Sequence, residues 1–179
     1  MKATGIVRRI DDLGRVVIPK EIRRTMRIRE GDPLEIYTDH DGEVIFKKYS
    51  PMGELGTFVG ELCESISKTT NLSCAICDRD TVIAAAGSAK KDVYDHPISA
   101  DLENIMEERR MYEYQHGQPA VHLTRDQKHP VALAWPIITG GDVTGCVSFM
   151  LDHGDVRIGD AEAKLAQTAA NFLSRQMES

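Results

Sequence analysis

Between Leu55 and Ile66 the apolar side chains recur at three- and four-residue spacing (Leu55, Phe58, Val59, Leu62, Cys63, Ile66), the pattern of a helix that buries one face. Leu165, Ala169, Phe172, Leu173 and Met177 repeat that spacing and predict a second such helix near the C-terminus. Between them, Cys74–Asp78 and Val82–Ala86 are short apolar runs on either side of an Asp-Arg-Asp turn, and residues 131–138 and 143–151 flank Thr139-Gly140-Gly141-Asp142. Each pair predicts neighbouring antiparallel strands. A helical stretch over residues 98–112 completes the order helix, strands, helix, strands, helix. That order predicts an α+β domain whose antiparallel sheet is covered by the first and last helices.

Upstream of Pro51 the periods are shorter. Residues 5–10 and 16–18 flank Asp11-Asp12-Leu13-Gly14 and predict a hairpin. Pro19 suits the first position of a helix over residues 20–27, which Arg29-Glu30-Gly31-Asp32-Pro33 stops. A second hairpin joins residues 34–38 to 43–48 through Asp41-Gly42. Tyr49-Ser50-Pro51-Met52-Gly53 interrupts both patterns, so the expected division is a first domain over residues 1–50, a linker over 51–55 and a second domain over 56–179. A fifty-residue β-α-β piece with few large apolar side chains buries too little surface to be comfortable alone, which predicts a partner copy.

Composition adds that the chain is globular. Its 179 residues are 41% hydrophobic and 28% charged, enough for a packed core and too apolar for general disorder. No basic stretch followed by an apolar run opens the sequence, and Pro, Gly or charge interrupts each apolar run, so a cytoplasmic protein without membrane association is expected. Four cysteines in such a chain are expected as reduced thiols.

Charge changes the picture more. The net charge is -6, yet residues 1–29 hold nine basic side chains against Asp11, Asp12 and Glu21. Lys20, Arg23, Arg24 and Arg27 fall at i, i+3, i+4 and i+7 on the short helix, one cationic stripe opposite Ile22 and Met26. Like charges so spaced oppose one another by about 0.2–0.5 kcal/mol per pair unless an anion compensates them. Arg8, Arg9 and Arg15 lie on the adjoining hairpin, and arginine offers a planar fork of donors suited to phosphate oxygens and guanine edges. A solvated helix face explains a lone stripe; the added hairpin arginines favour nucleic acid.

The residues from Lys2-Ala3-Thr4-Gly5-Ile6-Val7-Arg8-Arg9-Ile10-Asp11-Asp12-Leu13-Gly14-Arg15 through Val16-Val17-Ile18-Pro19-Lys20-Glu21-Ile22-Arg23-Arg24-Thr25 closely resemble the N-terminal swapped-hairpin domain of the AbrB family of bacterial transition-state regulators. The likeness continues through Gly31-Asp32-Pro33-Leu34-Glu35-Ile36 to Lys47-Lys48-Tyr49. It implies a β-rich, intertwined dimer in which two chains exchange hairpins, and a homotetramer when two dimers join. The implied partner is double-stranded DNA, contacted by residues matching Arg8, Arg15, Arg23 and Arg24; Arg9 and Lys20 join this set from spacing and charge. DNA would then be read largely through shape and flexibility. The rest of the chain resembles the GAF-like domain carried by sporulation members of that family. This implies a transcription regulator, activator or repressor, of late, forespore sporulation genes. An unidentified small molecule is the candidate ligand of that domain, and no cofactor is expected.

Sharper alternatives are weaker. Cys74 and Cys77 have the gap of a zinc half-site, but three residues apart on a strand they point to opposite faces. No metal site and no catalytic residue is therefore expected. A methionine sulfoxide reductase, an activity known among GAF folds, would need a cysteine arrangement that Cys63, Cys74, Cys77 and Cys146 do not show. An antitoxin would share the swapped hairpin but end in a short, disordered tail, where this chain carries patterned helices.

Overall fold

The computed structural model describes residues 4–151 and 158–178. The chain forms two compact units, Met1–Tyr49 and Ser50–Ser179. Lys2, part of the basic count, lies outside the described residues.

In the first unit, helix α1 (Lys20–Met26) is followed by strands β1 (Leu34–Thr38) and β2 (Val44–Lys48), which pair antiparallel. Gly42, at φ 80°, makes their turn in the left-handed conformation that glycine adopts without a Cβ penalty. Arg27 also sits at positive φ and ends α1: Ile28 N–H donates to Arg23 O at 2.8 Å, closing the last turn. Lys48 ties this end of α1 to β2, since its Nζ donates to Arg27 O at 2.8 Å and lies 3.2 Å from Asp32 Oδ2. Asp32, whose side chain is 6% exposed, also accepts from Arg29 N–H at 2.8 Å. Replacing Lys48 by methionine leaves that carboxylate without its ammonium. Because Lys48 is itself part-exposed, the cost falls below that of a fully buried pair, at about 2 kcal/mol. We expect roughly thirtyfold faster amide exchange through β1 and β2, and unchanged exchange would remove the ion pair from the account.

The predicted first hairpin forms only its turn. Asp11 N–H donates to Arg15 O and Gly14 N–H to Asp11 O, each at 3.0 Å, with Gly14 at φ 75°. Residues 4–10 and 16–18 make no ladder within the chain. A two-stranded arm lacking a third strand or a helix to cover it is marginal, which is why period and turn chemistry alone do not close it.

The second unit opens with α2 (Pro51–Glu54), so the segment expected as a linker is helical. Ser50 caps it, its Oγ accepting from Gly53 N–H, and Met52 is 1% exposed in the core. Pro51 marks a helix start here, because the first helical N–H needs no partner. Then follow α3 (Gly56–Thr70), β3 (Cys74–Asp78), β4 (Val82–Ala86), α4 (Lys90–Val93), α5 (Ala100–Glu107), β5 (Tyr112–Glu113), β6 (Val131–Thr139), β7 (Asp142–Met150) and α6 (Asp160–Met177). Tyr112, expected at the end of a helix, instead pairs with Ala134 of β6.

The five strands make one antiparallel sheet in the order β4-β3-β7-β6-β5. One face packs on α3 and α6 through Val59, Cys63, Ile66, Phe149, Ala166 and Leu173; the other packs on Val93, Ile98, Leu102, Met106 and Leu123. The sheet is therefore covered on both faces, where the pattern of the first and last helices predicts only one cover.

Candidate nucleic-acid interface

The six predicted DNA-contacting residues all lie in the first unit, and all are exposed. Arg8 and Arg9 stand on the extended arm before the turn, Arg15 closes the turn, and Lys20, Arg23 and Arg24 lie on the first two turns of α1. On a helix the spacing of Lys20, Arg23 and Arg24 places them on one side. Arg27, the predicted fourth member of that stripe, does not continue it: its left-handed backbone turns it out of the helix, it is half-buried, and Nη1 is enclosed by the protein.

One acid shapes this cationic surface. Asp11 Oδ1 accepts from Leu13 N–H at 3.0 Å and Arg15 N–H at 2.8 Å, while Oδ2 accepts from Arg15 Nε at 2.8 Å. The backbone N–H of Arg15, then its guanidinium, hold the Asp11 carboxyl below the usual carboxylate range. Charge counting treats Asp11 only as a subtraction from the basic total. Its signal in the sequence is positional: an Asp opening a turn whose fourth residue is glycine and whose fifth is arginine.

The same unit lacks an interior. No described residue of 4–49 is buried. Val7 is 89% exposed, Ile10, Leu13 and Val17 are each 70%, and Ile36 is 61%. Ile22 and Met26, the expected core side of α1, do not reach a core either, since Met26 is 55% exposed.

In the second unit the sulfurs sort as their strand positions require. Cys74 belongs to the α3/α6 side of the sheet and Cys77 to the opposite side. Cys63 Sγ donates to Cys74 O at 3.2 Å, and Cys77 stands opposite Cys146 across β3 and β7. All four are buried and unbridged. Hydrogen bonding to a neighbouring thiol, followed by burial, pushes Cys74 and Cys77 well above the ordinary thiol value. Among the described residues no cluster of three or more His, Cys, Asp or Glu could hold a metal ion, and no helix is long and apolar enough to cross a membrane.

Two family models match. Residues 54–178 match "Stage V sporulation protein T C-terminal, transcription factor", and residues 7–53 match "Antidote-toxin recognition MazE, bacterial antitoxin". The chain is 51% identical over 180 residues to the stage V sporulation protein T of Bacillus subtilis (strain 168), spanning 99% of each. It is 65% identical over 51 residues to the transition state regulatory protein AbrB of the same organism, covering 28% of this chain and 52% of that one. Among solved structures, the GAF domain of an Acinetobacter phosphoenolpyruvate-protein phosphotransferase is 12% identical, with a TM-score of 0.53 over 73% of this chain and 84% of that one. This last likeness shows the fold of the second unit and nothing more.

Proposed function

The chain belongs to the family of stage V sporulation protein T, a transcription regulator of sporulation with an AbrB-type DNA-recognition domain and a GAF-like domain, and from that premise we propose that Arg8, Arg9, Arg15, Lys20, Arg23 and Arg24 form its DNA-contacting surface. The observation that carries this is the concentration of six exposed cations on one arm, its turn and one helix, in a chain whose net charge is -6. Arginine on such a surface neutralises phosphates and reaches the grooves, and released counterions supply affinity.

The unit works as a pair of copies exchanging their arms. Twelve large apolar side chains between Ile6 and Phe46 are exposed and none in residues 4–49 is buried, so a second copy supplies the missing core and the missing strands for residues 4–10 and 16–18. Further association into a tetramer uses the second units. There the rings of Phe58 of α3 and Phe172 of α6 meet at a tilt, centroids 5.5 Å apart, while 37% and 42% exposed, an apolar patch suited to a matching copy.

Ligand sensing is the proposed role of the GAF-like domain, with an unidentified small molecule; a broad metabolite panel that never raises its unfolding temperature would count against this. The burial of all four thiols speaks for a regulator rather than a thiol-based reductase. The likeness to the antitoxin ends at residue 53, only four residues into the 130-residue second unit, which favours a regulator over a toxin-neutralising tail.

Amide hydrogen exchange of the full chain with and without duplex DNA tests the placement. Protection gathered within residues 5–27 is expected. Protection confined to residues 56–178 would move the DNA surface to the other unit.

A further inference from the structure

We propose that Asp11 is a positioning residue for DNA binding, holding the Arg15 guanidinium in the aim from which its terminal nitrogens meet the DNA backbone. The inference rests on the reading above that Arg15 contacts DNA. Asp11 is also the nearest acid in sequence to Arg8 and Arg9, where an unpaired carboxylate would repel phosphate. Geometry gives it another use. One carboxylate takes three donors: Leu13 N–H and Arg15 N–H on Oδ1, and Arg15 Nε–H on Oδ2. The first two bonds, with Gly14 N–H donating to Asp11 O, close the turn. The third is a single contact through Nε, and the terminal guanidinium nitrogens, not bonded to this carboxylate, remain donors for another anion.

Arg15 keeps 69% of its side chain exposed in this arrangement and Asp11 keeps 36%. An arginine so exposed would otherwise sample many rotamers, and DNA binding would have to order it. Held by Asp11, it loses less freedom on binding. The depressed pKa of Asp11 accords with this: the carboxylate stays ionised until the pH falls below the ordinary aspartate value, so the pair is intact throughout the neutral range.

Charge and positioning predict opposite signs for Asp11→Asn. The variant keeps a side-chain oxygen to accept the two turn amides, and it removes one negative charge from the DNA-facing surface of each chain. If only the field mattered, D11N would bind DNA more tightly. Positioning predicts weaker binding, by about three- to tenfold at fixed salt, the scale of ordering one rotamer-rich side chain.

The experiment is a double-mutant cycle on the full chain, measuring duplex DNA affinity at one salt concentration for the wild type, D11N, R15A and D11N/R15A. The expected result is a loss in D11N that vanishes in the R15A background. Equal or tighter binding by D11N overturns the inference, as does an equal loss in both backgrounds. If R15A itself binds like the wild type, the reading of Arg15 as a DNA contact fails as well; a weakened R15A beside an unaffected D11N rejects the positioning role alone. Should D11N not fold, the wild type still decides by NMR. The Arg15 Nε–H resonance should exchange with water more slowly than those of Arg8 and Arg9, and an equal rate would overturn the proposal.

Discussion

Replacing Arg23 and Arg24 together by alanine weakens duplex DNA binding by about 100-fold at 0.1 M salt and leaves the chain folded. Each phosphate contact releases close to one counterion, so at 0.1 M salt each lost contact is worth roughly an order of magnitude in affinity. Two lost contacts per copy set the estimate, and contacts from a second copy would enlarge it. The fold should tolerate the change because both side chains are exposed on α1. Relief of their repulsion with Lys20 offsets the lost attraction to the C-terminal end of the helix, each term being a few tenths of a kcal/mol. Fluorescence anisotropy with a labelled duplex gives the affinity, and circular dichroism confirms the fold. Affinities within threefold of each other would make the stripe a solvated face.

Gly145→Ala should unfold the second unit or nearly so. An added Cβ on Gly145 would lie 2.1 Å from Cys77 O, 3.2 Å from Cys77 C and 2.9 Å from the Met52 side-chain methyl. The first two are backbone atoms of the paired strand β3, and no rotamer change relieves them. Met52 reaches this spot because α2 inserts it into the core. Overpacking in a well-packed core costs about 1–3 kcal/mol when side chains can give way, and a fixed backbone clash exceeds that range. A drop of about 10 °C or more in the unfolding temperature is expected, followed by the fluorescence of Trp135, the single tryptophan. A shift under 2 °C would mean that β3 and β7 part without cost and that the packing here is misjudged.

What the sequence discloses depends on whether a single chain contains the partner a residue needs. Leu55, Val59, Cys63 and Ile66 find α3's partners within the unit, so their period carries straight into structure. Cys74 and Cys77 fall on opposite faces because strand alternation requires it. Tyr112 was not legible, since one aromatic at the edge of a helical run looks the same whether it continues the helix or starts a two-residue strand. Met52 was hidden behind Pro51, which marks a break and a helix start equally well. Gly145 is invisible as a packing site because its importance lies in the approach of Cys77, a contact no local pattern encodes. In the first unit, the short runs on either side of Asp11-Asp12-Leu13-Gly14 announce strands, and the chain alone leaves them unpaired because the apolar side chains there have nothing of their own to cover.

The basic surface was the most legible part, for charge sorted against a net of -6 needs no tertiary information. Two details escaped it. Arg27 leaves the stripe because α1 ends one residue earlier than its composition suggests, with Arg27 taking the left-handed cap. Asp11, counted as an acid among bases, proves to be bonded to one of them.

The most direct test of the account is the affinity of the unmodified full chain for duplex DNA across a salt series from 0.05 to 0.3 M, plotted as log K against log salt. A straight line with a slope of about -4 or steeper, corresponding to at least four or five neutralised phosphates, is the predicted result. An affinity indifferent to salt, or no binding at the lowest salt, would contradict the assignment of this arm, turn and helix as a DNA-binding surface.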